Sequence, residues 1–127
     1  MIAVDTSALM AIVGGEAHAE ACMAALEAES EVLISASTLA EALIVAARRK
    51  VGAEMRQLID RFGFDVVPVT EAAARRVAAA YDRWGRGIHP ASLNFGDCFS
   101  YEVASEHACP LLFVGDDFAK TDIGSVL

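Results

Sequence analysis

Residues 2–7 of the chain, IAVDTS, join a short apolar run to three residues that favour the first turn of a helix. The same order recurs at 32–37, VLISAS, and at 66–71, VVPVTE, each time ahead of a segment with helical composition. A fourth apolar run, LLFV, occupies 111–114. Short continuous apolar strands that alternate with helices are typical of a parallel sheet covered on both faces.

This pattern predicts one α/β domain over 1–127, with a short, mainly parallel central sheet between two helical layers. The predicted strands are 2–4, 32–34, 66–69 and 111–114, and the predicted helices are 8–13, 17–29, 38–50, 53–62, 71–84 and 97–107. Residues 85–96 form the one long irregular stretch. In such folds ligands bind beyond the carboxyl ends of the strands.

Composition narrows the class of protein. A chain of 127 residues with 55% hydrophobic residues and a mean hydropathy of +0.41 can fold as one domain, which excludes intrinsic disorder. Its uncharged stretches reach only about ten residues, too short to span a membrane, and Asp5 interrupts any signal peptide. Three cysteines without metal-type spacing suit a reducing compartment. We therefore expect a soluble cytoplasmic domain.

The charge balance is acidic, with 10 basic and 18 acidic residues and a net charge of −8. This argues against broad electrostatic binding of nucleic acid. It does not exclude a nucleic-acid enzyme that gathers acids around metal ions and sets its few cations on one rim.

Several carboxylates lie at strand ends, at a helix start or on an apolar helix, which are positions where functional acids commonly occur. Asp5 follows the first strand, Asp116 and Asp117 follow the fourth, and Asp97 opens a helix. Glu41 is the only charged residue between Val32 and Ala47, in a helix that is apolar nearly all round, so we expect it to be buried and to meet a cation. Each acid also has a purely structural explanation. Asp5 and Asp97 can cap helices, Asp116 and Asp117 can form a turn, and Glu41 can point outward to solvent.

Taken together, these acids predict a metal site at one edge of the sheet. Clustered carboxylates repel one another unless a divalent cation neutralises them, and oxygen ligands select Mg²⁺ or Mn²⁺ over Zn²⁺. Such a site can activate water, and two ions ~4 Å apart can hold both the attacking and the leaving oxygen. The predicted chemistry is hydrolysis of a phosphodiester.

Three segments carry a family resemblance that spans essentially the whole chain. Asp5-Thr6-Ser7-Ala8, Asn94-Phe95-Gly96-Asp97-Cys98 and Leu111 to Phe118, with Glu41 between them, resemble the PIN-domain ribonucleases. The likeness is greatest to the VapC toxins of bacterial type II toxin–antitoxin pairs. The resemblance implies a single PIN domain with a three-layer α/β/α fold and Mg²⁺-dependent endoribonuclease activity, with Mn²⁺ as a possible substitute. It also implies a homodimer, a cognate VapB-type antitoxin that inhibits it in a hetero-oligomer, an RNA substrate and no membrane.

The resemblance also assigns roles within the site. Asp5 and Asp97 would bind the metal and Glu41 would be the third acid. Many members carry the fourth acid where this chain has Gly115, so Asp116 or Asp117 must serve, with Asp117 favoured, or the role is lost. Thr6 and Ser7 would orient Asp5 or a metal-bound water, although both also suit a helix start.

The remaining candidates are cations and aromatic residues. Arg75, Arg76, Arg83 and Arg86 lie on or just past one helix that leads into the irregular stretch, and they are candidates for RNA phosphate contacts as well as for a solvated face. Phe95, Phe99 and Tyr101 are assigned to the core rather than to base stacking.

Three other functions compete with a ribonuclease. An aspartyl-phosphate phosphatase of the haloacid-dehalogenase type needs a second Asp two residues after the first, and position 7 is Ser. A receiver domain needs a second early acid, which is missing, and a Lys after the last strand, whereas Lys120 lies beyond Asp116 and Asp117. A catalytically impaired PIN domain that binds RNA or a partner without cleaving stays open because of Gly115.

Overall fold

The computed structural model describes residues 1–127. The elements, in chain order, are β1 (Ile2–Val4), α1 (Thr6–Val13), α2 (Ala19–Ala28), β2 (Val32–Ser35), α3 (Ala36–Arg48), α4 (Gly52–Phe62), β3 (Asp65–Val67), α5 (Glu71–Trp84), α6 (Phe95–Glu106) and β4 (Leu111–Leu112). A short 3-10 helix, Phe118–Lys120, follows β4. Every predicted strand and helix is present, with shifted ends.

The four strands form one parallel sheet in the order β3-β2-β1-β4. The chain steps outward from β1 to β2 and β3, and then returns to place β4 on the other side of β1. The carboxyl ends of β1 and β4 are therefore neighbours where the strand order reverses, which is the usual place for a ligand site in such sheets. Asp5 follows β1 and residues 113–117 follow β4 at this point.

Two apolar cores lie on opposite faces of the sheet, as the alternation of side chains along a strand requires. Ile2, Val4 and Ile34 pack with helices α1 to α4. Ala3, Leu33 and Leu111 pack with α5 and α6 on the other face. The predicted three-layer α/β/α arrangement is confirmed.

Helix α3 differs from the sequence prediction of a helix buried all round. It buries only Thr38, Ala42 and Ala46, while Ile44 is 60% exposed and Leu43 is 36% exposed. Small residues bring one face of α3 against the core, Leu39 and Val45 pack at its margin, and Leu43 and Ile44 point outward. Glu41 consequently lies at a half-buried position rather than inside the core.

The structure also describes the state of the cysteines and the length of the helices. The three cysteines, Cys22, Cys98 and Cys109, are buried and free, in keeping with the absence of a disulfide framework in the prediction. None of the six helices combines the length and apolar character that crossing a membrane requires.

Candidate active site

Asp5 lies in the interior at the end of β1 and is only 4% exposed. Its Oδ2 accepts hydrogen bonds from the backbone N–H of Ser7 at 3.0 Å and from the Ser7 hydroxyl at 2.7 Å, so Asp5 caps helix α1. Its Oδ1 accepts a hydrogen bond from the Ser100 hydroxyl at 2.5 Å. Because a carboxylate offers about four lone-pair positions, these three donors still leave one for a further ligand.

The two hydroxyl residues next to Asp5 both contact site groups. Thr6 donates to Glu41 Oε1 at 2.6 Å, which ties helix α1 to helix α3. Ser7 donates to Asp5 and accepts a hydrogen bond from the backbone N–H of Val114 at 3.0 Å, which links the ends of β1 and β4. Both are helix-start residues as well as supports for the acids.

Glu41 forms no ion pair with a cation of the chain. The cation that the sequence predicted for Glu41 is therefore not a basic residue of the chain, and the Thr6 hydroxyl is its polar partner. Its carboxylate occupies the space where a Cβ atom on Gly96 would lie. This close approach brings the acid of α3 to the first turn of α6.

Asp97 belongs to a reciprocal cap at the start of α6. The Asn94 side chain accepts a hydrogen bond from the Asp97 backbone N–H at 2.8 Å, and Asp97 Oδ2 accepts one from the Asn94 backbone N–H at 3.0 Å. The helix therefore begins at Phe95, two residues before the predicted start, because Asn94 rather than Asp97 is the N-cap. The second oxygen of Asp97, Oδ1, has no hydrogen-bond donor.

The electrostatics of Asp97 reveal which acids surround it. Partial burial and the negative charges of Asp5, Asp117 and Glu41 raise its pKa from 3.8 to about 6, while the hydrogen bond from Asn94 acts in the opposite direction. None of these four acids takes part in an ion pair. The structure thus brings together four of the predicted acids with no cation of the chain to balance them.

The two acids after β4 have different surroundings. The charge of Asp117 acts on Asp97, whereas Asp116 lines a separate cavity with His18 and Phe113. Both side chains are exposed, and Asp117 precedes the 3-10 helix. Of the two, Asp117 is the one whose charge raises the pKa of Asp97.

The donor set can be tested against a metal ion. No three His, Cys, Asp or Glu side chains are gathered tightly enough to form a finished cage. Mg²⁺, however, keeps several waters and commonly takes only one or two carboxylates from the protein. Asp5 and Asp97 each retain a free oxygen position, and their unbalanced charges suit a hard divalent cation, so the residues fit Mg²⁺ or Mn²⁺.

The sequence predicts no role in the site for Ser100, Thr38 or Gly96, and it places Phe95 in the core. Ser100 and Thr38 support Asp5 from helices α6 and α3, and Gly96 makes room for Glu41. Phe95, which was assigned to the core, is 70% exposed and meets Phe99 edge-on, while Phe99 and Tyr101 are buried as predicted. The Asn-x-x-Asp spacing of residues 94–97 could have identified the cap, but a lone serine or glycine has no comparable signal.

The predicted arginines are distributed over different surfaces. Arg83 forms an ion pair with Asp122 at 3.4 Å and stacks over Trp84. Arg76 forms ion pairs with Glu102 and Glu106, both at 3.3 Å, and the side chain of Glu102 is only 4% exposed. Arg75 forms an exposed pair with Glu71 at 3.8 Å. These three cations are therefore occupied by acids of the chain.

Arg86 alone among them has no ion pair, and it lines a cavity that Asn94 and Cys98, close to Asp97 in the chain, also line. This cavity has a volume of about 760 Å³ and a largely apolar lining between α5 and α6. Phe95 stands between it and a smaller cavity that contains Glu41 and Gly96. The larger cavity thus carries one arginine without an ion pair, the carboxylate of Asp82, and two exposed aromatic rings, those of Tyr81 and Phe95.

Comparison with known proteins gives consistent results. A family model described as the PIN domain matches residues 2–124. The chain is 44% identical over 126 residues to ribonuclease VapC30 of Mycobacterium tuberculosis. The aligned region covers 97% of this chain and 96% of that relative. The crystal structure of the Mycobacterium tuberculosis VapC20 toxin, described as cleaving the sarcin-ricin loop, superposes with a TM-score of 0.81 at 19% identity over 99% of this chain and 98% of the other. A toxin–antitoxin complex from Klebsiella pneumoniae contains a chain with a TM-score of 0.73 at 21% identity, over 96% of this chain and 93% of that one.

Proposed function

The chain belongs to the PIN-domain family, among its VapC ribonucleases, and we propose that it is a Mg²⁺-dependent endoribonuclease. It would act as the toxin of a toxin–antitoxin pair and hydrolyse RNA phosphodiester bonds. Its three free cysteines suit a reducing compartment such as the cytoplasm. The identity of 44% over nearly the full length supports a shared activity with the ribonuclease relatives.

One observation carries the metal part of this proposal. The pKa of Asp97 is raised to about 6, partly because Asp5, Asp117 and Glu41 act on it with like charges. Such an excess of negative charge disfavours the folded chain unless something compensates for it. A divalent cation held by Asp5 and Asp97 would compensate, and Mn²⁺ could replace Mg²⁺ because both are hard cations.

Each residue has a role in this mechanism. Asp5 and Asp97 hold the cation, while Glu41, steadied by Thr6, and Asp117 face the same space and can orient water or accept its proton. When bound, Mg²⁺ supplies electrostatic stabilisation for the charge that builds on the phosphate and makes water easier to deprotonate. Ser7 keeps the ends of β1 and β4 in fixed relation, and so holds Asp5 near the segment that carries Asp117.

The RNA backbone would approach through the cavity between α5 and α6. Arg86 lines this cavity without an ion pair, although Asp82 lines it as well, and Phe95 lines both this cavity and the smaller one that contains Glu41. An unpaired arginine can bind a phosphate that a net charge of −8 would otherwise repel. Arg75 and Arg83, which the sequence also suggested, are paired with acids of the chain and are weaker candidates.

The direct test is cleavage of total RNA by the purified chain without antitoxin. We expect discrete fragments in the presence of Mg²⁺, no cleavage in EDTA, and no cleavage by Asp97→Asn. The asparagine can still accept the hydrogen bond from Asn94, so the variant is expected to fold and to isolate the loss of the charge.

The alternative outcomes distinguish other functions. Cleavage that survives EDTA or Asp97→Asn would contradict the assigned site. A folded protein that binds RNA but never cuts it would support the impaired PIN domain, for which the glycine at position 115 is the observation in favour.

We further propose that the chain forms a homodimer and is inhibited by a VapB-type antitoxin. The fold neighbour from a toxin–antitoxin complex supports such a partner. Exposed apolar side chains near Glu41, including Ile44 at 60% and Phe95 at 70%, favour a surface that another protein covers. Light scattering after size-exclusion chromatography, with and without the product of a small neighbouring reading frame, tests the assembly, and RNA cleavage in both samples tests inhibition.

A further inference from the structure

Two buried hydroxyl groups stand behind the carboxylate of Asp5. Ser100 on α6 donates to Asp5 Oδ1 at 2.5 Å, and its Oγ lies 3.2 Å from the Thr38 Oγ1 on α3. Ser100 is 1% exposed and Thr38 is 2% exposed, so water does not compete for either group. Helix α3 carries Glu41 as well as Thr38, and helix α6 carries Asp97 as well as Ser100. This row of hydroxyl groups, Thr38 and Ser100, therefore links Asp5 to the two helices that bear Glu41 and Asp97.

The direction of these hydrogen bonds is fixed by the available protons. An ionised carboxylate only accepts hydrogen bonds, so the single hydroxyl proton of Ser100 goes to Asp5. The Ser100 oxygen is then the acceptor for Thr38, whose hydroxyl donates to it. The row therefore runs from Thr38 through Ser100 to Asp5 in one sense, and each hydroxyl in it is satisfied.

The two oxygens of Asp5 are held by different elements. Ser7 holds Oδ2 with two donors from the beginning of α1, and Ser100 holds Oδ1 from α6. With one oxygen held, the carboxylate could still turn about its Cβ–Cγ bond, because that torsion has a broad energy profile. With both held, the plane of the carboxylate is set relative to Asp97, which lies one turn before Ser100 on the same helix.

We propose that Ser100, oriented by Thr38, is a positioning residue that fixes the Asp5 carboxylate for a divalent cation. This inference rests on the proposed metal-dependent function. The hydroxyl of Ser100 does not touch the substrate or the cation; it acts only through Asp5. A merely structural serine would affect the stability of the chain without changing how tightly the cation binds.

The test measures Mg²⁺ binding by calorimetry and RNA cleavage on the same full-length variants. Ser100→Ala is expected to raise the Mg²⁺ dissociation constant about 10–100-fold and to lower kcat by a similar factor, as losing the support of a metal ligand commonly does. The KM for RNA is expected to stay within about twofold, since no phosphate contact changes. Thr38→Val keeps the shape but removes the hydroxyl and is expected to act in the same direction, whereas Thr38→Ser keeps the hydroxyl and restores wild-type binding.

The control is a hydroxyl that stabilises the fold elsewhere. Thr70 caps helix α5 by accepting the Ala73 backbone N–H at 3.1 Å, so Thr70→Ala lowers the melting temperature and leaves Mg²⁺ affinity unchanged. Wild-type Mg²⁺ affinity in a folded Ser100→Ala, or in Thr38→Val if Ser100→Ala does not fold, overturns the positioning role. A wild-type chain that binds no Mg²⁺ overturns the proposed function itself, and these two failures are distinguished by the wild-type titration.

Discussion

The carboxylate of Glu41 occupies the space into which a side chain at Gly96 would project. A Cβ atom built on Gly96 would lie 3.2 Å from Glu41 Cδ and closer still to Oε2. Two acids of different helices, Glu41 and Asp97, are thereby brought together at Gly96, a position without a side chain. The absence of a side chain at position 96 is thus a condition for the acids to converge.

Gly96→Ala is expected to reduce RNA cleavage about 10–100-fold by displacing Glu41, with the fold retained. The backbone tolerates the change, because Gly96 lies inside a helix and alanine has a helix propensity better by about 1 kcal/mol. Cleavage rates and melting temperatures of the variant and the wild type measure the two effects.

A matched substitution and a double variant control this result. Gly52→Ala at the start of α4 meets only ordinary contacts, the nearest at 3.4 Å, and should leave cleavage unchanged. In a Glu41→Ala background, Gly96→Ala should cost no further activity. An additional loss there would mean that Gly96 acts through something other than Glu41.

The sheet and the acids at its edge could be predicted because their signals are local. Apolar runs such as Ile2–Val4 identify strands, and a carboxylate directly after a strand must lie at the carboxyl edge of the sheet. The burial of α3 was predicted wrongly because its composition does not reveal which residues face the core: small Ala42 and Ala46 do, and Ile44 does not. Tertiary packing decides that choice.

Asp116 and Asp117, the two neighbouring acids after β4, are expected to differ in their effect on catalysis. Asp117→Asn is expected to lower kcat about 10–100-fold, because the charge of Asp117 acts on Asp97. Asp116→Asn removes the same charge one residue away, in another cavity, and its kcat should stay within about twofold of the wild-type value. Steady-state cleavage of one RNA substrate compares the two, and a larger loss in Asp116→Asn would reverse the assignment.

Gly115 and Ser100 illustrate what the sequence could not provide. Gly115 has a φ of +111°, a backbone conformation that favours glycine and disfavours aspartate. The backbone conformation, and not only the chemistry of the site, therefore restricts which residue can stand at position 115. Ser100 and Thr38 are 62 residues apart and meet only after α3 and α6 pack together. No periodicity connects such residues, and the hydroxyl support of Asp5 is visible only in three dimensions.

The raised pKa of Asp97 predicts a pH dependence of stability without metal. The native chain holds a proton on Asp97 up to pH about 6, whereas the unfolded chain releases it near its ordinary value of 3.8. The native state therefore binds more protons between these values, so Asp97 lowers the stability as the pH rises from about 4 to about 6. Asp97→Asn removes this loss and is expected to melt about 2–5 °C higher than the wild type at pH 7 in EDTA.

The difference between the two melting curves is the relevant quantity, because other groups titrate in the same range. Burial also raises the pKa of Glu102, for example, although Arg76 opposes this effect. A wild-type and an Asp97→Asn chain that differ equally at pH 4 and pH 7 would refute the assigned role of Asp97 in the pH dependence.

Arg86 is expected to contribute a phosphate contact that Arg75 does not. Arg86 lines the cavity between α5 and α6 without an ion pair, while Arg75 is paired with Glu71 and lies outside that lining. In an Asp97→Asn background, which prevents cleavage, Arg86→Ala should weaken RNA binding and lower the slope of log K against log salt by about 1. Arg75→Ala removes the same charge from the same region and should leave the slope unchanged. Fluorescence anisotropy at several salt concentrations measures both, and equal slopes for the two variants would show that the RNA does not pass Arg86.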